Sequence, residues 1–149
     1  MSLIINNVTK KFGNHIAVNS LNLTIPEREL FGFLGGNGAG KTTTFRMILG
    51  LLDPTEGEIS WKGNPLHYES SHLIGYLPEE RGLYPKLKVK QQLIYLGKLR
   101  GMTTRSAISQ IEKWLDRFQI SHYMNKRVEE LSKGNQQKIQ FISSVLHEP

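Results

Sequence analysis

Apolar positions change rhythm along the chain. Leu3 to Val8 is a short apolar run that predicts a strand, and "KKFGNH" predicts a turn at Gly13 and Asn14. From Val18 to Ile25 apolar and polar residues alternate at Val18, Leu21, Leu23 and Ile25, with a slip near Asn19 and Ser20. This predicts a half-buried strand that Pro26 ends. Leu30 to Leu34 is almost continuously apolar, as expected of a strand buried on both faces. In "KTTTFRMILGLL", Phe45, Ile48, Leu49 and Leu52 recur at helical spacing. "DPTEG" reads as a turn, and Glu58 to Trp61 and Ile74 to Leu77 as further short strands. Beyond Glu79 the period becomes helical. Val89, Leu93 and Leu96 mark one helix, and Ala107, Ile108, Ile111, Trp114, Leu115 and Phe118 mark a second. A third runs from Lys133 to about Leu146. The expected organisation is a β-rich core over about residues 1–78 and a helical subdomain over about residues 79–146.

Composition narrows this picture only slightly. The chain has 149 residues, 38% of them apolar, enough for one domain with a real core. It has no cysteine, which excludes disulfides and thiolate metal sites. No apolar run is long enough to cross a membrane, and the polar N-terminus does not read as a secretory signal. The formal charge is +6. A basic balance can signal nucleic acid or an anionic membrane surface. Here "TKK", "KLKVK" and "NKR" are short and separated, as solvated faces would be, with no basic stripe flanked by aromatics. The histidines at 15, 67, 72, 122 and 147 read as surface residues.

The chemistry enters at residues 35 to 42, "GGNGAGKT", which match G-x-x-x-x-G-K-[ST]. Gly35 and Gly40 let the backbone turn tightly and approach a phosphate. The amides along Gly36, Asn37, Gly38 and Ala39 can form an anion-binding nest. The helix that follows points its positive end at the same place, with Lys41, Thr42 and Thr43 in its first turn. Lys41 supplies a point charge for the β- and γ-phosphates, and the Thr42 hydroxyl a hard oxygen for Mg²⁺. A chance match in a chain of this size is roughly a 1 in 200 event. The expected ligand is ATP with Mg²⁺.

Many ATPase and GTPase families share this loop. Along essentially its whole length, however, the chain resembles the ATP-binding subunits of ABC transporters. "VTKKFGNHIAVNSLNLTI" resembles that family's opening strands, in which Phe12 would stack on adenine with Val18 nearby. "LGLLDPTEGEISWKGNPL" is similar to the stretch after the phosphate helix. "IGYLPEERGLYPKLKV" falls where the family has its Q-loop, with Glu79 where glutamine is usual. A carboxylate there can ligate Mg²⁺ but adds negative charge beside a triphosphate. "LSKGNQQKIQFISSVL" resembles the family's signature, with Lys133 for glycine and Asn135 for glutamine. Ser132 would cap the helix that follows, and Gly134 would let its backbone approach a second nucleotide. The details resemble bacterial ABC-2 type export subunits.

The resemblance implies an α/β fold: a P-loop NTPase core of the ABC ATPase type, with N-terminal antiparallel β strands and an inserted helical subdomain. It implies a pair of nucleotide-binding subunits and transmembrane permease subunits as partners, on the cytoplasmic side of a membrane. The family's Mg²⁺-positioning aspartate and catalytic glutamate would follow Pro149. The chain is therefore expected to be an incomplete cassette without the C-terminal part of the core and with no catalytic residue of its own. The whole is expected to have about 220 to 300 residues. Two other readings stay open: a non-transport ABC protein acting on nucleic acid or ribosomes, with nucleic acid the less expected partner, and a module that only binds.

Overall fold

The structure is a computed structural model of the chain and describes residues 2–78 and 82–149. It divides into two compact units, Met1–Ser71 and His72–Pro149.

The first unit is built on an antiparallel sheet in the order β2-β1-β3-β4. Its strands are β1 (Ser2–Phe12), β2 (His15–Pro26), β3 (Glu56–Trp61) and the short β4 (Asn64–Pro65). β1 and β2 form a long hairpin that closes with Phe12 opposite His15, as "KKFGNH" predicts. Pairing slips between Ile5 and Val8 and again between Val8 and Lys10. Ser20 takes a left-handed φ of 44°, and its amide donates to Thr9 Oγ1 at 3.0 Å. The irregularity foreseen near Asn19 and Ser20 is thus a bulge that re-aims the hairpin end. Ile5, Val8, Val18 and Ile59 turn inward and are buried with Met47 and Leu49.

α1 (Lys41–Ile48) follows the glycine-rich loop. Its end is a Schellman motif: Leu51 N–H donates to Arg46 O at 2.9 Å and Gly50 N–H to Met47 O at 3.0 Å. Gly50 has φ 67°, and a Cβ there would stand 2.4 Å from the His67 carbonyl carbon, so only glycine fits. The buried face of α1 is Thr44 and Met47, not the expected Phe45, which is 46% exposed. Phe45 instead meets Phe33 edge-on at 5.9 Å.

Two expected strands are corrected. Leu30 to Leu34 and Ile74 to Leu77 carry no strand pairing. Leu30 and Leu34 are 101% and 93% exposed. An apolar run becomes a doubly buried strand only when strands flank it and layers cover both faces. Among the described residues no strand flanks either run.

The second unit is helical: α2 (Val89–Leu99), α3 (Thr104–Arg117) and α4 (Lys133–Val145). One core joins Val89 and Leu93 to Ala107, Ile111, Leu115, Ile139, Ile142 and Leu146. The three predicted stripes supply most of it, with Ile120, Val128 and Leu131 from between the helices, while Leu96 and Ile108 of the predicted stripes are only half-buried. Thr103 caps α3 by accepting from Ser106 N–H at 3.1 Å. Polar residues also enter the interior. Gln92 is fully buried and its Oε1 accepts from Tyr84 N–H at 2.9 Å. Gln140 Nε2 donates to Pro78 O at 2.9 Å, tying α4 to the chain just before the undescribed residues. Four of the five histidines are exposed, as expected. His147 is the correction: it is half-buried and both its ring nitrogens are shut away from solvent, directly after the buried Leu146 that follows α4.

Candidate functional site

Gly35 to Thr43 form a glycine-rich loop that runs into the first turn of α1. Gly38 and Gly40 both have φ 81°, a left-handed conformation that turns the chain into α1. Gly40 caps the helix, and no side chain satisfies the first turn. Thr44 N–H and Thr44 Oγ1–H both donate to Gly40 O, at 2.8 and 2.9 Å, fixing the helix start to the loop. Among the described residues the amides of Lys41, Thr42 and Thr43 have no backbone acceptor. No acidic side chain lies in that turn. Such a terminus is satisfied by water or by an oxyanion, which the helix's positive end favours.

Lys41 folds back over the loop. Its Nζ donates to Gly35 O at 2.6 Å and Gly36 O at 2.7 Å. The ammonium is thereby held at the loop, partly shielded, while Thr42 stays exposed and Thr43 half-buried. Gly35, Gly36, Asn37, Gly38 and Ala39 are all exposed, with only Ala39 N–H to Gly36 O at 3.3 Å closing a turn within them. The loop is an open cradle of backbone amides with one cation beside it.

The strand hairpin reaches this cradle. A Cβ on Gly40 would stand 2.4 Å from Ala17 O and 3.1 Å from Val18 Cγ2, so the loop packs directly on β2 at Ala17–Val18. Val18 lies opposite Lys10 on β1, and Phe12 sits two residues further along, 49% exposed. Phe12 thus stands half-exposed on the hairpin whose β2 residues touch the loop. One residue here was not foreseen. Lys10 Nζ lies 5.4 Å from the Phe12 ring centroid and donates to Asp53 O at 2.6 Å. Its only sequence signal was membership of "TKK".

The predicted signature lies in the other unit. Ser132 caps α4, its Oγ accepting from Asn135 N–H at 3.3 Å. Gly134 is exposed, and a Cβ there would meet nothing within 4 Å. Leu131 is buried and Lys133 exposed. Gln136 Nε2 donates to Leu131 O at 3.0 Å and Val128 O at 3.1 Å, fixing the approach to the helix. Glu79 lies outside the described residues.

The donor set fits a polyphosphate: bare amides at a helix start, a lysine ammonium and a hydroxyl, with no carboxylate in the turn. Residues 18–149 match the family model "ABC transporter". The uncharacterized ABC transporter ATP-binding protein YhaQ of Bacillus subtilis (strain 168) is 66% identical over 147 residues, which is 99% of this chain and 49% of that protein. The Nod factor export ATP-binding protein I of Burkholderia lata is 34% identical over 146 residues, 96% of this chain and 48% of that protein. A solved structure, described as an ATP binding subunit of an ABC transporter, superposes with a TM-score of 0.84. It is 24% identical, and the match spans this whole chain and 63% of that one. The chain belongs to the ABC transporter ATP-binding family and has the ABC ATPase fold, an N-terminal antiparallel sheet followed by helices. It spans about half the length of the curated relatives it matches.

Proposed function

We propose that this chain binds Mg-ATP as part of the nucleotide-binding subunit of an ABC exporter. The phosphate loop carries the reading: its amides at the start of α1 lack acceptors while Lys41 stands beside them. Gly35 to Thr43 would hold the phosphates, Lys41 adding charge and Thr42 an oxygen for Mg²⁺. Glu79 would be a further metal ligand. Phe12 would stack on adenine with Val18 beneath the loop edge. Mg²⁺ would neutralise the triphosphate and orient it.

Ser132 and Gly134 would meet the nucleotide of a second subunit. The open space around Gly134 and the capped start of α4 support this. Hydrolysis would be an activity of the whole protein, since the chain spans only about half the length of the relatives it matches. ATP binding between the paired subunits would then drive permease subunits at the cytoplasmic face of a membrane. The word "export" in one relative's name supports an outward direction.

Titration with a fluorescent ATP analogue and Mg²⁺ tests the binding assignment. Saturable binding is expected, weakened at least about tenfold by Lys41→Ala, since a charge-assisted contact contributes roughly 1.5–3 kcal/mol. Equal affinity in both forms would overturn it. Phosphate release by the 149-residue chain should stay far below about 1 per second, an ordinary enzymatic rate.

A further inference from the structure

Two of the short basic runs that the sequence keeps apart become neighbours. "KLKVK" (86–90) and "NKR" (125–127) lie side by side. Lys88 and Arg127 form an antiparallel bridge. Val89 N–H donates to Lys126 O at 3.0 Å, Lys90 N–H to Met124 O at 3.0 Å and Val128 N–H to Leu87 O at 3.1 Å. Val89 and Val128 are buried beneath this ribbon. Lys86, Lys88, Lys126 and Arg127 are exposed on it and Lys90 is half-exposed.

These cations stand where folding physics disfavours them. Lys88 and Arg127 are like charges directly opposite on a bridge, an arrangement that destabilises pairing. Lys88 caps α2 and Lys90 sits in its first turn, at the positive end of the helix, with no acidic residue in that turn. Carboxylates answer only part of the charge. Lys126 meets Glu130 at 3.5 Å and Arg127 meets Glu129 at 3.6 Å. Among the described residues Lys86, Lys88 and Lys90 have no ion-pair partner.

Beside the cations lie amphipathic residues. Leu87 is 38% exposed between Lys86 and Lys88, and Tyr84 and Tyr95 are 51% and 48% exposed. The tyrosine rings pack edge-to-face at 6.4 Å, so they do not present parallel open faces on which successive bases would stack. Exposed lysines with long apolar stems, one leucine between them and tyrosines beside them match the chemistry of a headgroup layer. We propose that this ribbon is a contact surface for anionic phospholipid headgroups. The reading is independent of nucleotide binding, which involves none of these residues.

Vesicle co-sedimentation of the protein tests it, with phosphatidylcholine alone and with a phosphatidylglycerol mixture. Each lysine near an anionic surface changes affinity on the order of fivefold, so Lys86→Gln/Lys88→Gln/Lys90→Gln should weaken binding about a hundredfold. A control triple, Lys98→Gln/Arg105→Gln/Lys113→Gln, removes the same charge from exposed positions elsewhere. It should weaken binding far less. Both variants should keep the wild-type helical circular dichroism signal and melt, which shows that the helical unit is folded, and wild-type affinity for the ATP analogue, which separates this test from the nucleotide assignment. Equal binding to both vesicle types, or equal losses in the two triples, would overturn the proposal. So would preferential, patch-dependent binding of an oligonucleotide, which would assign the ribbon to nucleic acid.

Discussion

Gly40 shows how a residue type can be legible while its full reason is not. The loop motif requires glycine there for phosphate approach. The structure adds a second cause, the contact with Ala17 O that a Cβ would make at 2.4 Å. Gly38 shares the φ of 81° but faces open space. The two substitutions separate strain from contact. Gly38→Ala is expected to cost about 1 kcal/mol in denaturant unfolding, the usual penalty for a left-handed alanine. Gly40→Ala is expected to cost clearly more, about 2–4 kcal/mol, because backbone must also move. Equal costs would mean that the loop is not seated on β2. Thr44 and Lys10 were less legible. Their roles depend on a carbonyl four residues back and on an aromatic two residues along, and neither leaves a pattern in composition.

At the scale of elements, periodicity read the helices well because each has one buried stripe and one wet face. The α3 stripe of Ala107, Ile111 and Leu115 is buried as its spacing demands. Helical spacing could not reveal Gln92 and Gln140 as interior residues, since it carries no trace of the backbone groups at Tyr84 and Pro78 that they meet. The apolar runs Leu30–Leu34 and Ile74–Leu77 misled for a different reason. Hydrophobicity records that a segment wants cover, whereas strand formation needs a partner. Exposed Leu30, Phe31 and Leu34 are therefore expected to drive association of this chain. Light scattering should show oligomers that Leu30→Ser/Leu34→Ser reduces; a monomer before substitution would contradict this. The start of α4 gives a second test. Ser132→Ala removes the cap on Asn135 N–H and should cost about 1 kcal/mol. Circular dichroism melts would detect it.

Across the whole molecule, titration and ligand linkage report on the fold together. Burial, foremost, and then the charge of Arg100 hold the His147 pKa below its ordinary 6.5, with His72 adding to the effect. A backbone approach from Ile74 opposes it without making a hydrogen bond of good geometry. The folded form therefore prefers the neutral ring. Its contribution to stability is fully present above pH 6.5 and is lost as pH falls from there toward the folded pKa. Glu130 behaves separately: the Arg127 amide, then Lys126, lowers its pKa from 4.5, so its contribution persists above that value and is lost below it. Urea midpoints should thus fall between pH 7 and about pH 5.5, and His147→Asn should flatten that slope. An unchanged slope would contradict the buried ring.

The central claim is that the loop from Gly35 to Thr43 holds a nucleotide, and thermal unfolding with Mg-ATP tests it most directly. A ligand at a hundred times its dissociation constant stabilises by about 2.7 kcal/mol. For a domain of this size that is a rise of several degrees, roughly 5–12 °C. Lys41 contacts only carbonyls of its own loop, so Lys41→Ala should melt close to wild type without ligand. The account predicts a clear rise for wild type and little or none for Lys41→Ala. The same rise in both proteins would contradict it.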